Sequence, residues 1–494
     1  MITLSLAEIA EVVGGRMHDI PDASAEVTGP VVRDSREAGP GCLFVAFVGE
    51  RVDGHDFAAQ VVQAGAVAVL GSRPVGVPAI VVDDVQAALG ALARHVVRRL
   101  GTTLVALTGS AGKTSTKDLI AQVLRRKAPT VFTPGSMNNE VGLPLTALTA
   151  TEETKFLVLE MGARGIGHIR YLTGLTPPKV GLVLNVGSAH IGEFGGREQI
   201  AQAKGELVEA LPPAEEGGTA ILNADDGLVR AMASRTKAKV LLFGESDEAD
   251  VRAENVRLTD TGQPSFRLHT PSGASDVTMR LYGEHHVSNA LAAAAVAHEL
   301  GMSADEIATA LSEAGSLSRW RMEVTERPDG VTVVNDAYNA NPDSTRAALR
   351  ALVAMGSAAQ ESGGRTWAVL GPMAELGEES LAEHDAVGRL AVRLNVSRLV
   401  AVGGREAAWL DMGAKNEGSW GEESVHVSDA QAAVDLLRSE LRPGDVVLVK
   451  ASRAAGLERV AQALLDGADE GGGLPSSLRP AGPHAEGRGE VTGR

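Results

Sequence analysis

The stretch "VALTGSAGKTSTKDLIAQVL", residues 105–124, restricts this chain more than any other part of it. An apolar strand candidate runs into a glycine-bearing turn, and the turn into a helix whose Leu119, Ile120, Val123 and Leu124 recur on one face. That succession is the local form of an anion cradle. Glycines let the backbone wrap an anion with inward N–H groups, and a helix N-terminus adds favourable partial charge. The common phosphate loop reads G-x-x-x-x-G-K-[ST]. Here only Ser110 and Ala111 separate Gly109 from Gly112, so the loop is shortened. Lys113 would neutralise terminal phosphates, and the hydroxyl of Thr114 or Ser115 would ligate Mg²⁺. A plain strand-to-helix turn is the competing reading. The Lys-Thr-Ser that follows the second glycine favours a nucleotide site over it.

The same alternation of strand and helix candidates fills most of the chain. "CLFVAF", "AVAVL" and "AIVVDD" lie in the first hundred residues with the helical "DFAAQVVQAG" and "VQAALGALARHVVRRL". "TTLVALT", "KFLVLEMG", "VGLVLNVG", "TAILNADD" and "KVLLFG" form a second run. A turn-rich β excursion over 251–273 follows, and the helix "VSNALAAAAVAHELG" closes that unit. From about residue 317 the pattern restarts with "GVTVVNDAYNANPDS", "TWAVLG", "RLVAVGG" and "DVVLVK". Alternation of this kind predicts an α/β protein with mostly parallel sheets covered on both faces. The length of 494 residues fits three domains. We place them at 1–100, 101–315 and 316–466, with 467–494 a tail that has almost nothing to bury and is expected to be disordered.

Bulk chemistry removes several classes of function. A formal net charge of −17 argues against nucleic acid or an anionic membrane as partner, so an anionic ligand must be held by a local site. The single cysteine, Cys42, allows neither a disulfide framework nor a thiolate zinc site. "NALAAAAVAHEL" is too short to insert in a membrane, and the start lacks the features of a signal peptide. The reading is a cytoplasmic chain.

Other residues with chemistry sit at strand ends, where ligands bind in open parallel sheets. Glu160 closes "FLVLE" and His190 follows "GLVLNV"; together they offer metal ligands from two strands, or singly an exposed acid and a loop histidine. Lys204 fits a solvated helix face as well as anything else. Asn289 suits a helix start. Asp336, Asn339 and Asn341 precede Pro342 in a segment that is either a ligand-contacting loop or a capped Asn/Asp turn.

Taken together, "TGSAGKTSTKD", "NNEVGLPLTAL", "LEMGARGIGHI", "NVGSAHIGEFG", "AKGELVEAL", "NDAYNANPDS" and "MAELGEESLAEHDAVG" resemble the Mur ligase family over residues 28–460. The resemblance implies three domains: an N-terminal one for a UDP-sugar substrate, a central P-loop ATPase-like one and a C-terminal Rossmann-like one. By position it implicates Ser35, Arg36 and the loop Gly49 to His55, including Asp53, together with Asn138 and Asn139, in substrate binding. It places ATP on Gly109, Ser110, Ala111, Gly112, Lys113, Thr114 and Ser115, and on His285, Asn289, Arg321, Asp336 and Asn339. It makes Thr114, Glu160 and His190 the Mg²⁺ positions, and Lys113, Glu160, His190 and Lys204 the catalytic set, Lys204 matching a lysine carbamylated in several relatives. Tyr338 would join the segment that closes over ATP, and Lys450 and Arg453 would meet the peptide or phosphates. This chain departs from the family pattern at His286, where asparagine is usual, at Trp320, where glycine precedes the arginine, and at Pro372, where aspartate is frequent.

Within the family the motifs are most similar to the branch that joins D-alanyl-D-alanine to UDP-N-acetylmuramoyl-tripeptide. The implied reaction uses ATP to make an acyl phosphate, which the amine of the dipeptide attacks. The implied state is a monomer. One alternative is the branch that adds a diamino acid, whose "DNPR" signature is replaced here by "NPDS" at 341–344. The other is a P-loop ATPase without peptide ligation, which expects a longer loop and a strand-end aspartate after it.

Overall fold

The computed structural model describes residues 1–187, 194–361, 363–418 and 423–466. Three mixed, largely parallel sheets follow one another along the chain. The first has five strands in the order Arg16–His18, Ala79–Val81, Ala68–Gly71, Leu43–Val45 and Val31–Val32, with the first pair antiparallel. The third has six strands centred on Val446–Lys450, flanked by Thr332–Asn335 and Thr366–Leu370.

The nine-stranded second sheet positions the shortened loop. Its strand Thr103–Thr108 lies between Phe156–Glu160 and Val180–Val183, all parallel, and every residue of the two flanking strands is buried. Continuous apolar runs are what a sheet covered on both faces requires. From Thr103–Thr108 the chain first builds one side of the sheet, Thr130–Phe132 and Phe156–Glu160, and then crosses to Val180–Val183 on the other. The chain therefore runs from Thr108 and from Val183 toward opposite sides of the sheet, and the crevice lies at the carboxyl ends of these strands. On the far side three strands, Val251–Leu258, Pro264–Thr270 and Gly273–Thr278, form an antiparallel meander where the sequence predicts a β excursion.

The helix Val85–Leu100 ties the first sheet to the second. Asp84 caps its start, accepting from the N–H groups of Gln86 and Ala87, and Gly101 ends it at φ 61°. Its buried face joins Leu6 and Ile9 to Leu143, Leu157 and Leu159 in one continuous core.

Several elements go beyond what the sequence pattern predicts, two strands and a helix among them. The strands Glu323–Glu326 and Ser424–Val427 are sheet edges, so they carry no apolar run to announce them. The helix Ala304–Glu313 extends the second unit beyond the helix expected to close it; Ser303 and Glu306 form a capping box at its start. No described helix is long and apolar enough to cross a membrane. The tail 467–494 and His190 lie outside the described residues.

Candidate active site

A cleft of about 1110 Å³ opens at the crevice, and parts of all three units line it. The helix Lys113–Arg125 starts at its floor, with Gly112 as N-cap at φ 79°. Glycine takes that conformation without steric cost. A Cβ here would also stand 2.6 Å from Asn289 Oδ1, so both backbone and packing demand glycine. Asn289 is buried on the helix His285–Glu299, and its Oδ1 accepts from Thr116 Oγ1 at 3.1 Å. The helix-start reading of Asn289 thus gives way to a buried polar clamp behind the loop.

Lys113 Nζ donates to Gly109 O at 2.8 Å, closing the loop on itself. Burial lowers its pKa; Glu160 opposes this and Arg321 adds to it. Thr114 Oγ1 donates to Glu160 Oε2 at 2.9 Å, and Asn138 Nδ2 donates to Glu160 Oε1 at 2.6 Å. Glu160 is buried, at 1% exposure, so it is not the exposed strand-end acid that sequence alone allowed. Arg321 approaches Thr114 Oγ1 at 3.4 Å and lies over the Tyr338 ring at 4.4 Å. The protein thus concentrates two cations, a carboxylate and a hydroxyl at the end of two adjacent strands.

Lys204 contradicts the solvated-face reading. It is 4% exposed, and burial, with Lys113 next in importance, holds its pKa well below the lysine range. Two residues along, Glu206 accepts from the N–H groups of Gly167 and Arg170, fixing the helix His168–Leu175 to the same framework.

The third unit faces this floor. Lys450 Nζ donates to Asp336 Oδ2 at 2.5 Å and to Asn339 O at 3.0 Å. Burial lowers the Lys450 pKa while Asp336 opposes the shift. Asn341 accepts from Ser344 N at 2.8 Å and caps the helix that Pro342 begins, so the capped-turn reading holds at that residue. His285 is pushed down to about 4 by burial, with Asp336 opposing and Lys450 assisting; buried His286 stacks on it at 4.3 Å. Ser136 Oγ and Tyr338 OH are hydrogen-bonded between the second and third units. Trp320 takes φ 59°, a conformation that glycine adopts without steric cost. Here Arg453 stacks on the indole at 4.3 Å and holds it.

The N-terminal candidates are not brought together with these. The cleft receives Arg33 and Gln86 from that unit, and Ser35, Arg36, Gly49, Asp53 and His55 are not among its lining. Arg36 folds back on Asp34. His55 Nε2 accepts from Ser72 N at 2.9 Å, which leaves the proton on Nδ1 to donate to Asp53 Oδ1 at 2.6 Å; Arg73 holds the other Asp53 oxygen. Asn138 and Asn139 do line the cleft, Asn138 at Glu160. Sequence reasoning missed Asn185 and Lys117. Asn185 binds the loop, and the fully buried Lys117 donates to Thr133 O and Gly135 O, anchoring the segment that carries Ser136 and Asn138. A polar residue directly after the apolar strand "VGLVL" was the available signal for Asn185.

Comparison with known proteins matches three consecutive segments: the Mur ligase family, catalytic domain, over residues 31–97; the Mur ligase middle domain over 107–297; and the Mur ligase, glutamate ligase domain, over 320–453. The chain belongs to the Mur ligase family. Among relatives in this family, the UDP-N-acetylmuramoyl-tripeptide–D-alanyl-D-alanine ligase of Mycobacterium tuberculosis (strain ATCC 25618 / H37Rv) is 51% identical, over 94% of this chain and 98% of that protein. The Escherichia coli (strain K12) ligase of the same name is 36% identical over 94% and 99%. Among solved Mur ligases, MurF from Acinetobacter baumannii superposes with a TM-score of 0.83 at 32% identity, covering 94% of this chain and 99% of that one. The MurF ligase from Thermotoga maritima in complex with ADP gives 0.77 at 31%, covering 90% and 98%. The three-domain α/β fold implied by the sequence resemblance is the fold of these structures.

Proposed function

We propose that this protein is the ATP-dependent ligase that joins D-alanyl-D-alanine to UDP-N-acetylmuramoyl-tripeptide in the cytoplasm, acting as a monomer. The observation that carries the reading is the convergence of Lys113, Thr114 and Glu160 on the shortened loop, opposite Asp336 and Lys450 across one cleft. Relatives of that name match nearly the whole chain, which favours it over a diamino-acid-adding ligase and over an ATPase without ligation.

A carboxylate does not react with an amine in water, because its oxygen is a poor leaving group. ATP makes the tripeptide carboxylate an acyl phosphate, and the dipeptide amine then displaces phosphate through a tetrahedral intermediate. The chain's part is to align two anions and offset their charge. Gly112 and the helix N-terminus behind it present N–H groups to phosphate, and Lys113 and Arg321 supply positive charge. Thr114 and Glu160 offer the hard oxygen donors that Mg²⁺ takes, and so fit that ion. Among the described residues no cluster of three or more His, Cys, Asp or Glu could hold a metal. His190 completes the donor set in this reading. Lys204, buried beside Lys113, favours the neutral amine that carbamylation requires. Ser35, Arg36, Gly49, Asp53 and His55 are assigned to the UDP end of the substrate, and Asn138 and Asn139 to its peptide end. Asp336, Tyr338 and Asn339 close over the nucleotide and exclude water from the acyl phosphate.

The test is product mass with Mg²⁺–ATP and both substrates, with phosphate release followed as each substrate is omitted. A pentapeptide product and phosphate only in the complete mixture are expected. Phosphate release without peptide substrate, and no product, would overturn the assignment.

A further inference from the structure

The shortened loop makes contacts that its proposed role does not use. Ser110 N and Ala111 N both donate to Asn185 Oδ1, each at 2.9 Å, and Asn185 Nδ2 donates back to Ala111 O at 3.1 Å. Ser110 N also lies 3.2 Å from the Asn185 carbonyl oxygen. Gly109 rests on the residue before Asn185 so closely that a Cβ there would meet Leu184 Cβ at 2.8 Å. The loop therefore leans on the chain leaving the neighbouring strand Val180–Val183.

Two roles fit the pair of accepted N–H bonds. Asn185 either plugs the anion site until phosphate displaces it, or braces the loop permanently. The third bond decides. A plug standing in for phosphate needs only to accept, whereas the Nδ2 donor is matched to a backbone carbonyl, which phosphate cannot replace. We propose that Asn185 is the positioning residue of this loop: its amide grips both the N–H and the carbonyl of Ala111 and so aims the N–H groups from Gly112 onward, with Lys113, at the phosphates. The brace supplies from a neighbouring strand the support that a longer glycine loop builds within itself. Ser110 Oγ is buried and has no partner among the described residues, which leaves it for the ligand rather than for the brace. This inference rests on the nucleotide reading of the site.

The test compares Asn185→Ala and Asn185→Asp with the wild-type chain. Displacement of a fluorescent ATP analogue gives nucleotide affinity, calorimetry gives affinity for UDP-N-acetylmuramoyl-tripeptide, and thermal unfolding reports the fold. Asn185→Ala is expected to weaken ATP by about 10- to 100-fold, with UDP-substrate affinity and melting temperature held, because the Ala111 N–H and carbonyl lose their partner and the Ser110 N–H keeps only the backbone one. Asn185→Asp keeps the shape and the Oδ1 acceptor; loss of the Nδ2 donor and a negative charge beside the phosphates are expected to weaken ATP at least as much, so the test survives if the alanine variant fails to fold. Tighter ATP binding by Asn185→Ala would reveal a plug and overturn the brace. Unchanged ATP affinity in the folded variants would overturn it, as would equal weakening of both ligands with a lowered melting temperature. If the wild-type chain binds no ATP analogue, the nucleotide reading itself fails and the brace falls with it, a result read before any variant is compared.

Discussion

His285 carries a pH dependence that can be worked out in advance. Burial pushes its pKa from 6.5 to about 4, with Asp336 opposing and Lys450 assisting. A depressed imidazole means that between these values the unfolded chain binds a proton that the folded chain refuses, so stability rises with pH across that window. Each pH unit between the two values is worth about 1.4 kcal/mol, so acidification from above 6.5 to below 4 removes about 3 kcal/mol through this residue. Stopping at pH 5 removes about 2 kcal/mol, since the window is then only partly crossed. The perturbation is His285→Gln, which fills the site with a side chain neutral throughout. Urea unfolding followed by circular dichroism at pH 7.5 and pH 5 gives four free energies for the same transition. The wild type is expected to lose about 2 kcal/mol more than the variant between the two pH values. Acid-sensitive groups remote from His285 are present in both proteins and cancel in the difference. Equal losses in the two proteins would refute the argument, showing that Asp336 or water compensates the buried charge.

Three further outcomes follow from the site. Lys113→Met is expected to cut ligase turnover by at least about 100-fold, the scale of removing one charge-stabilising donor. Its melting temperature should hold or rise, since a partly buried ammonium is removed; phosphate release and thermal unfolding read the two effects. Glu160→Gln keeps the contacts to Thr114 and Asn138 in outline but removes the carboxylate charge, so activity should fall by about 100- to 1000-fold and the Mg²⁺ needed for half-maximal rate should rise. A magnesium titration of phosphate release checks it, and an unchanged requirement would remove Glu160 from the metal site. Gly112→Ala, at φ 79° and facing Asn289 Oδ1, is expected to cost about 1–3 kcal/mol of stability and to raise the KM for ATP at least as strongly as Asn185→Ala. Urea unfolding and the ATP dependence of phosphate release measure the two.

What could be read from the residues, and what could not, divides along physical lines. Strands such as "FLVLE" and "TWAVL" announce themselves because a strand covered on both faces must be continuously apolar. The loop at 109–113 is legible for a similar reason, since a glycine turn between strand and helix is a local geometry with a local sequence. Those features gave the α/β class, the three-part organisation and the position of Lys113. Edge strands such as Ser424–Val427 escaped, because an edge pairs through its backbone and needs no apolar pattern. Glu160 was visible as a strand-end acid, but its burial and its bonds to Thr114 and Asn138 come from segments that precede it in the chain. Lys204 reads as a surface lysine on its own helix and becomes a buried amine only when that helix packs near Lys113. Asn185 shows locally only as a polar residue at the end of an apolar strand, and the loop it grips lies some seventy-five residues away. Sequence by itself determined the buried strands, the apolar-faced helices beside them and where an anion could be cradled, because backbone hydrogen bonding and periodic burial act over short stretches. Only the tertiary structure decided which polar side chains lose their water and which partners replace it, because desolvation depends on what packs from elsewhere in the chain.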